Sequence, residues 1–189
     1  MKNKFKETEK GFALPLALLL LVVMTIMGVT LVTISSNEHN ANNDKDSNQQ
    51  VFYAAESGIS VAKSWMVGNI TKFSSTPPNN LDSQLRFCKA SFFPNLRSSN
   101  NGFHSERKTL NQVISASGDE ATRLGKFSFE YFIAYTPDAN GNNSSGKKKS
   151  GTNNILYTVY SCGCDAAANS CNPQNNVIVP LEAVVTLVN

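Results

Sequence analysis

The feature that most constrains this chain is an uncharged apolar run, Phe12 to Ile34, set one glycine behind a lysine-rich start. The run is 23 residues long, and roughly 20 predominantly apolar residues in a helix cross a bilayer core. Before it, Lys2, Lys4, Lys6 and Lys10 outnumber Glu7 and Glu9. Lysines on the near side predict a cytoplasmic N-terminus, with the rest of the chain across the membrane. An ordinary secretory signal carries a small-residue cleavage site after its apolar core and loses that core on processing. Ile34-Ser35-Ser36-Asn37-Glu38-His39 is a poor site of that kind. An uncleaved signal-anchor helix fits the lysines and the run equally well.

The processing mark that makes sense lies before the run, at Gly11-Phe12. Cleavage there removes the charges and keeps the helix. Pro15 argues the same way. Inside a helix a proline costs about 3 kcal/mol or more, but counted from Phe12 it stands in the first turn. The amides of that turn have no intrahelical acceptor, and the fixed φ suits a helix start.

Gly11-Phe12-Ala13-Leu14-Pro15-Leu16, the leucines behind them, and the later Ala54-Ala55-Glu56-Ser57-Gly58-Ile59 resemble the N-terminal region of PilX-type minor pilins. The resemblance covers about the first 66 residues and includes the class III signal that type IV pilins share with the pseudopilins of type II secretion. It implies that a prepilin peptidase cuts after Gly11 and methylates Phe12. It also implies other minor and major pilins as partners, a single-pass place in the bacterial inner membrane before assembly, and a place in a pilus afterwards. Most major pilins carry a glutamate at the fifth residue of the mature chain, where its carboxylate is thought to meet a neighbour's N-terminal amine. That position here is Leu16. A subunit that enters first does not need the contact, so the resemblance implies a tip complex that primes, caps or modulates assembly. The alternatives are a minor pseudopilin and, in another class, a membrane-anchored periplasmic adhesin or binding module.

The organisation expected is a leader over 1–11, a membrane and filament-core helix over 12–35, its amphipathic continuation over 36–67, and a head over 68–189. Val51, Ala55, Gly58, Ile59, Ala62, Trp65 and Met66 share one helical face, so one helix is expected from Ala13 to about Val67, with Gly68-Asn69 as its stop. At 1.5 Å per residue it spans on the order of 80 Å. Gly28, followed by β-branched Val29, Thr30, Val32, Thr33 and Ile34, is the weakest helical stretch. It is the candidate place for loosening in a filament, with close helix packing at the glycine as the other reading.

About 120 residues remain for the head, enough for a core of their own. The net charge is +3, and much of it belongs to the leader, so basicity is no argument for nucleic acid. Ser74 to Asn80 and Ser98 to Gly102 read as loops. Leu85, Phe87, Phe92, Phe93 and Leu96 between them anchor either a short helix or a strand. Phe127, Phe129, Tyr131, Ile133 and Tyr135 alternate with more polar neighbours and give the clearest strand. Ile155 to Cys162 and Val177 to Leu187 give two more, with Pro180 marking a bulge or an edge, and Gln112 to Ser117 is a candidate fourth. A long helix packed on an antiparallel sheet is an α+β, pilin-like architecture.

Cys88, Cys162, Cys164 and Cys171 fall on the oxidising side of the membrane, where an even count reads as two disulfides. Cys162 and Cys164 are two apart at a strand end, so a bridge between them is strained. Each then pairs with Cys88 or Cys171, and Cys164–Cys171 with Cys88–Cys162 is the favoured choice. A zinc site is the weaker reading. No enzymatic chemistry emerges. His39 and His104 are the only histidines, expected to be solvated in the helix and in a polar loop, and no G-x-S-x-G nucleophile motif is present. Asp138-Ala139-Asn140-Gly141-Asn142 has the oxygens of a calcium loop. An EF-hand, however, needs glycine where Asn143 stands and glutamate where Lys149 stands, so a plain turn is expected. Lys147-Lys148-Lys149 is too short a basic run to claim a nucleic-acid site. Cofactors and metals are not expected.

Overall fold

The structure, a computed structural model, describes residues 13–73, 81, 83–97, 102–142, 146–148, 150–151 and 154–187. Two units compact separately, one ending at Asp46 and the other running from Ser47. The sequence loops over 74–80 and 98–101, Asn143 and Lys149 of the calcium-like stretch, and the leader lie outside the described residues.

Helix α1 is Ala13–Gly68. In the first unit its Ala13–His39 stretch, mean hydropathy 2.7, is long and apolar enough to cross a membrane. No acid or base interrupts it before Glu38, and its large apolar side chains from Leu14 to Ile34 are exposed. The hydroxyls of Thr25, Thr30 and Thr33 donate to the carbonyls of Val22, Met27 and Thr30, each at 2.8 Å. Each threonine thus satisfies its polar group within the helix, as a lipid environment demands. The helix runs through Gly28 without a break, and a Cβ there would meet nothing within 4 Å.

In the second unit the last turns of α1 pack on an antiparallel sheet of five strands: β1 Gly102–Thr109, β2 Ser128–Tyr135, β3 Lys147–Lys148, β4 Ile155–Cys164 and β5 Ile178–Thr186. β2 lies between β1 and β4, β5 pairs along β4, and β3 adds two residues to the start of β4. The layout is α+β. β5 has no other partner among the described residues. An edge position of this kind suits Pro180, which cannot donate to a ladder, and the unbroken register opposite Cys162 shows no bulge.

Three features differ from the expectations. Gln112 to Ser117 is not a strand. Thr109 and Gln112 form a reciprocal cap that starts a 3-10 turn, Leu110–Gln112, and a short helix α2, Gly118–Leu124, follows. The additional strands are β1, whose charged GFHSERKT composition carries no apolar alternation, and the two-residue β3. Finally, β2 does not have one wet face, because all eight of its residues are buried. Phe129, Tyr131 and Ile133 meet Ala54, Ala62 and Met66 of α1 in one core. Phe132 and Ala134 lie in a second core with Leu81, Leu85, Phe87, Phe93 and Leu96. The segment 83–97 therefore roofs the far face of the sheet, with only the 3-10 turn Ala90–Phe92 as regular structure.

Candidate functional site

At the N-terminus the expected cleavage pair, Gly11 and Phe12, lies outside the described residues. Leu16 stands on α1 with half its surface exposed, in a stretch that offers no charge of its own. What the described helix presents there is an exposed apolar surface.

The other end of α1 is held by backbone-close packing. A Cβ added to Gly163 of β4 would run into the Val51 carbonyl of α1, and one added to Gly58 into the Ser161 hydroxyl. Ser161 Oγ donates to the Ala55 carbonyl at 2.8 Å. Ala54, Ala55 and Gly58 are buried, while Glu56 between them is exposed. The Ala-Ala-Glu-Ser-Gly stretch thus has a physical reason: small residues let the helix backbone approach the sheet.

On the far face, disulfides join Cys88 to Cys162 and Cys164 to Cys171, the pairing favoured from sequence. Neither bond leaves a thiol for metal, and the described residues bring no group of three metal-ligating side chains together. Beside the first disulfide lies a residue that sequence reasoning missed. Glu130 on β2, opposite Cys162, is 2% exposed. Its carboxylate accepts the amides of Arg86 (2.9 Å), Phe87 (2.7 Å) and Cys88 (2.7 Å). Arg107 of β1 adds a guanidinium contact at 3.3 Å. Successive amides converging on one anion form a nest, built here around a side chain of the same protein. The signal was the acid inside an otherwise aromatic strand; the partners were invisible.

His104 also departs from expectation. It sits on β1, not in a loop, and stacks on the Trp65 indole with centroids 4.0 Å apart and planes 2° from parallel. Its Nε2 is buried and has no hydrogen-bond partner among the described residues. Burial lowers its pKa from the usual histidine value. Glu106 opposes that shift, while Lys72 and Lys108 add to it. Lys72 lies over the same indole, 5.2 Å from its centroid. Glu106 is engaged by Lys108 at 2.7 Å and accepts the Tyr131 hydroxyl at 3.1 Å.

Elsewhere, His39 is exposed on α1. Asp138 Oδ1 accepts the amides of Asn140 (2.8 Å) and Asn142 (2.9 Å), with Gly141 at φ 79°, so this carboxylate organises a turn. Lys147 and Lys148 are exposed on β3. No protein-family model, curated protein or solved structure matches the chain significantly.

Proposed function

We propose that this chain is a minor pilin of the PilX type, acting in a type IV pilus tip complex that primes, caps or modulates assembly. The observation that carries the reading is α1 itself. Its end packs on the sheet, while the large apolar side chains between Leu14 and Ile34 are exposed. Such a surface needs lipid before assembly and the helices of other pilins afterwards, since a helix apolar all round is stable only when it is surrounded. Gly11-Phe12 ahead of it supplies the processing junction, and the mature subunit would begin with a methylated Phe12. The head then contributes recognition, without catalysis.

The test is the mass of the N-terminal peptide of the protein purified from its native cells. A peptide beginning with N-methylated Phe12 is expected, and one that retains Met1 overturns the reading. Replacing Gly11 with a bulky residue is expected to leave the precursor in the membrane.

A further inference from the structure

The sheet has two open edges, and the direction of their backbone groups follows from the ladders. The Asp165 amide donates to the Val177 carbonyl at 3.4 Å, one step beyond the Cys164–Ile178 pair that ends the β4–β5 ladder. Bonded and unbonded positions alternate along an antiparallel pair, so the odd-numbered residues of β5 bond to β4. Ile178, Pro180, Glu182, Val184 and Thr186 turn their backbone groups outward, and Pro180, which has no N–H to offer, stands on that side. β1 yields to the same reasoning. The Leu110 amide donates to the Phe127 carbonyl at 3.0 Å, one step beyond Thr109–Ser128, so Ser105, Arg107 and Thr109 face outward. Among the described residues β1 pairs only with β2 and β5 only with β4.

The two edges complement each other. Glu182 is exposed on the far face, opposite Tyr160, and forms no ion pair among the described residues. Arg107 carries its guanidinium on the same face, where one of its donors meets Glu130 at 3.3 Å. Lay β1 of a second copy antiparallel on β5 with its Arg107 opposite Glu182. Ser105 of that copy then falls opposite Val184, and its Thr109 opposite Pro180. Glu182 and Val184 exchange both backbone bonds with the residues they face. Pro180 lacks a donor, and the Thr109 amide is already given to Gln112 Oε1 at 3.0 Å, so that pair strands no N–H. On the α1 face the incoming Glu106 comes opposite Ala183, beside an open cavity of about 510 Å3 that Lys63 helps to line. β1 and β5 run in opposite directions within one chain. Antiparallel joining therefore keeps the second copy in the orientation of the first, with the α1 ends of both on one face of the sheet. We propose that copies of this chain associate head to tail, the β1 edge of one extending the sheet of the next at β5. Such a heterologous contact adds copies in a row. The proposal does not depend on the pilus reading.

The test is disulfide cross-linking of full-length variants that each carry one added cysteine, reconstituted in phosphatidylcholine vesicles and oxidised with copper phenanthroline. Opposed residues of a bonded pair lie about 5.5 Å apart at Cα, within the reach of a disulfide. Val184→Cys mixed with Ser105→Cys is expected to cross-link faster than either variant alone. It should also outpace Val184→Cys mixed with Lys148→Cys, whose cysteine lies outside both strands. Adding Glu182→Lys to the Val184→Cys chain sets like charges opposite each other and should slow the favoured reaction about three- to tenfold. Melting curves of each variant establish that it is folded. Fastest linking of either variant to itself shows like edges pairing and overturns the proposal. Equal rates for all mixtures overturn it too, and leave Pro180 and Glu182 as guards against strand addition. A favoured reaction that Glu182→Lys does not slow refutes the register, and the proposal with it.

Discussion

Removing the Glu130 side chain would leave the amides of Arg86, Phe87 and Cys88 without their acceptor, in a place where little water reaches them. Breaking a buried charge arrangement on one side costs about 3–5 kcal/mol, so Glu130→Ala should lower stability by that order, measured as the shift in denaturant midpoint. Glu130→Gln keeps the shape but replaces one acceptor oxygen with an amide NH2 that faces donors, so its stability should fall between that of the parent and that of Glu130→Ala. If both variants melted like the parent, the nest would have no energetic weight. This residue was not legible in sequence. In an alternating strand its position reads as the wet face, and its partners lie more than 40 residues away in a segment without pattern. His104 was misread for a related reason, because its β1 neighbours are charged. Its depressed pKa carries a sign. Above the ordinary histidine value of 6.5 the imidazole is neutral folded and unfolded, and stability is at its full value. As pH falls below that value the unfolded chain takes up the proton more readily, so stability declines until the folded pKa is passed. The stack on Trp65, the chain's one tryptophan, gives the readout. Melts followed by its fluorescence should lose temperature below about pH 6.5, and His104→Phe should flatten that dependence.

Among the elements, α1 was the most legible. An apolar run followed by a helical stripe gave its course to within a residue of the observed Gly68 end. β2, β4 and β5 followed from alternation. The covering segment 83–97 did not, because its shape comes from two long-range anchors and not from local propensity. One anchor is the nest on Glu130. The other is Cys88–Cys162, which spans a sequence separation of 74 residues, against 7 for Cys164–Cys171. On the loop-closure account the longer link restricts the unfolded chain more, by about 4 kcal/mol against about 2. Replacing the Cys88–Cys162 pair with alanines should therefore destabilise the head more than replacing Cys164–Cys171. It should also expose the covering segment to limited proteolysis, cutting between residues 83 and 97 and not in the 165–170 loop. Equal losses, or cutting confined to the short loop, would show that the Glu130 nest and the apolar contacts hold the covering segment without the disulfide.

For the whole molecule the question is where in a filament such a subunit can stand, given the pilin reading. A subunit arriving beneath another brings its fifth residue close to the terminal amine of the one above. A carboxylate there neutralises a charge that is expensive to leave unpaired in an apolar surrounding. Leu16 offers nothing of the kind, and the first acid on α1 is Glu38, over twenty residues further along the helix and so over 30 Å away at about 1.5 Å per residue. The chain can therefore begin a filament, with no amine above it to satisfy, more readily than it can join one in progress. Immunogold labelling of sheared pili should place the parent protein at filament ends. Leu16→Glu restores the missing carboxylate and leaves the head untouched, so it should move label into the shafts while the melting temperature stays the same. Label spread evenly along the shafts in the parent would remove the tip assignment. The amine above this subunit would then be neutralised by a carboxylate that another subunit provides, with Leu16 marking only a subunit that enters rarely.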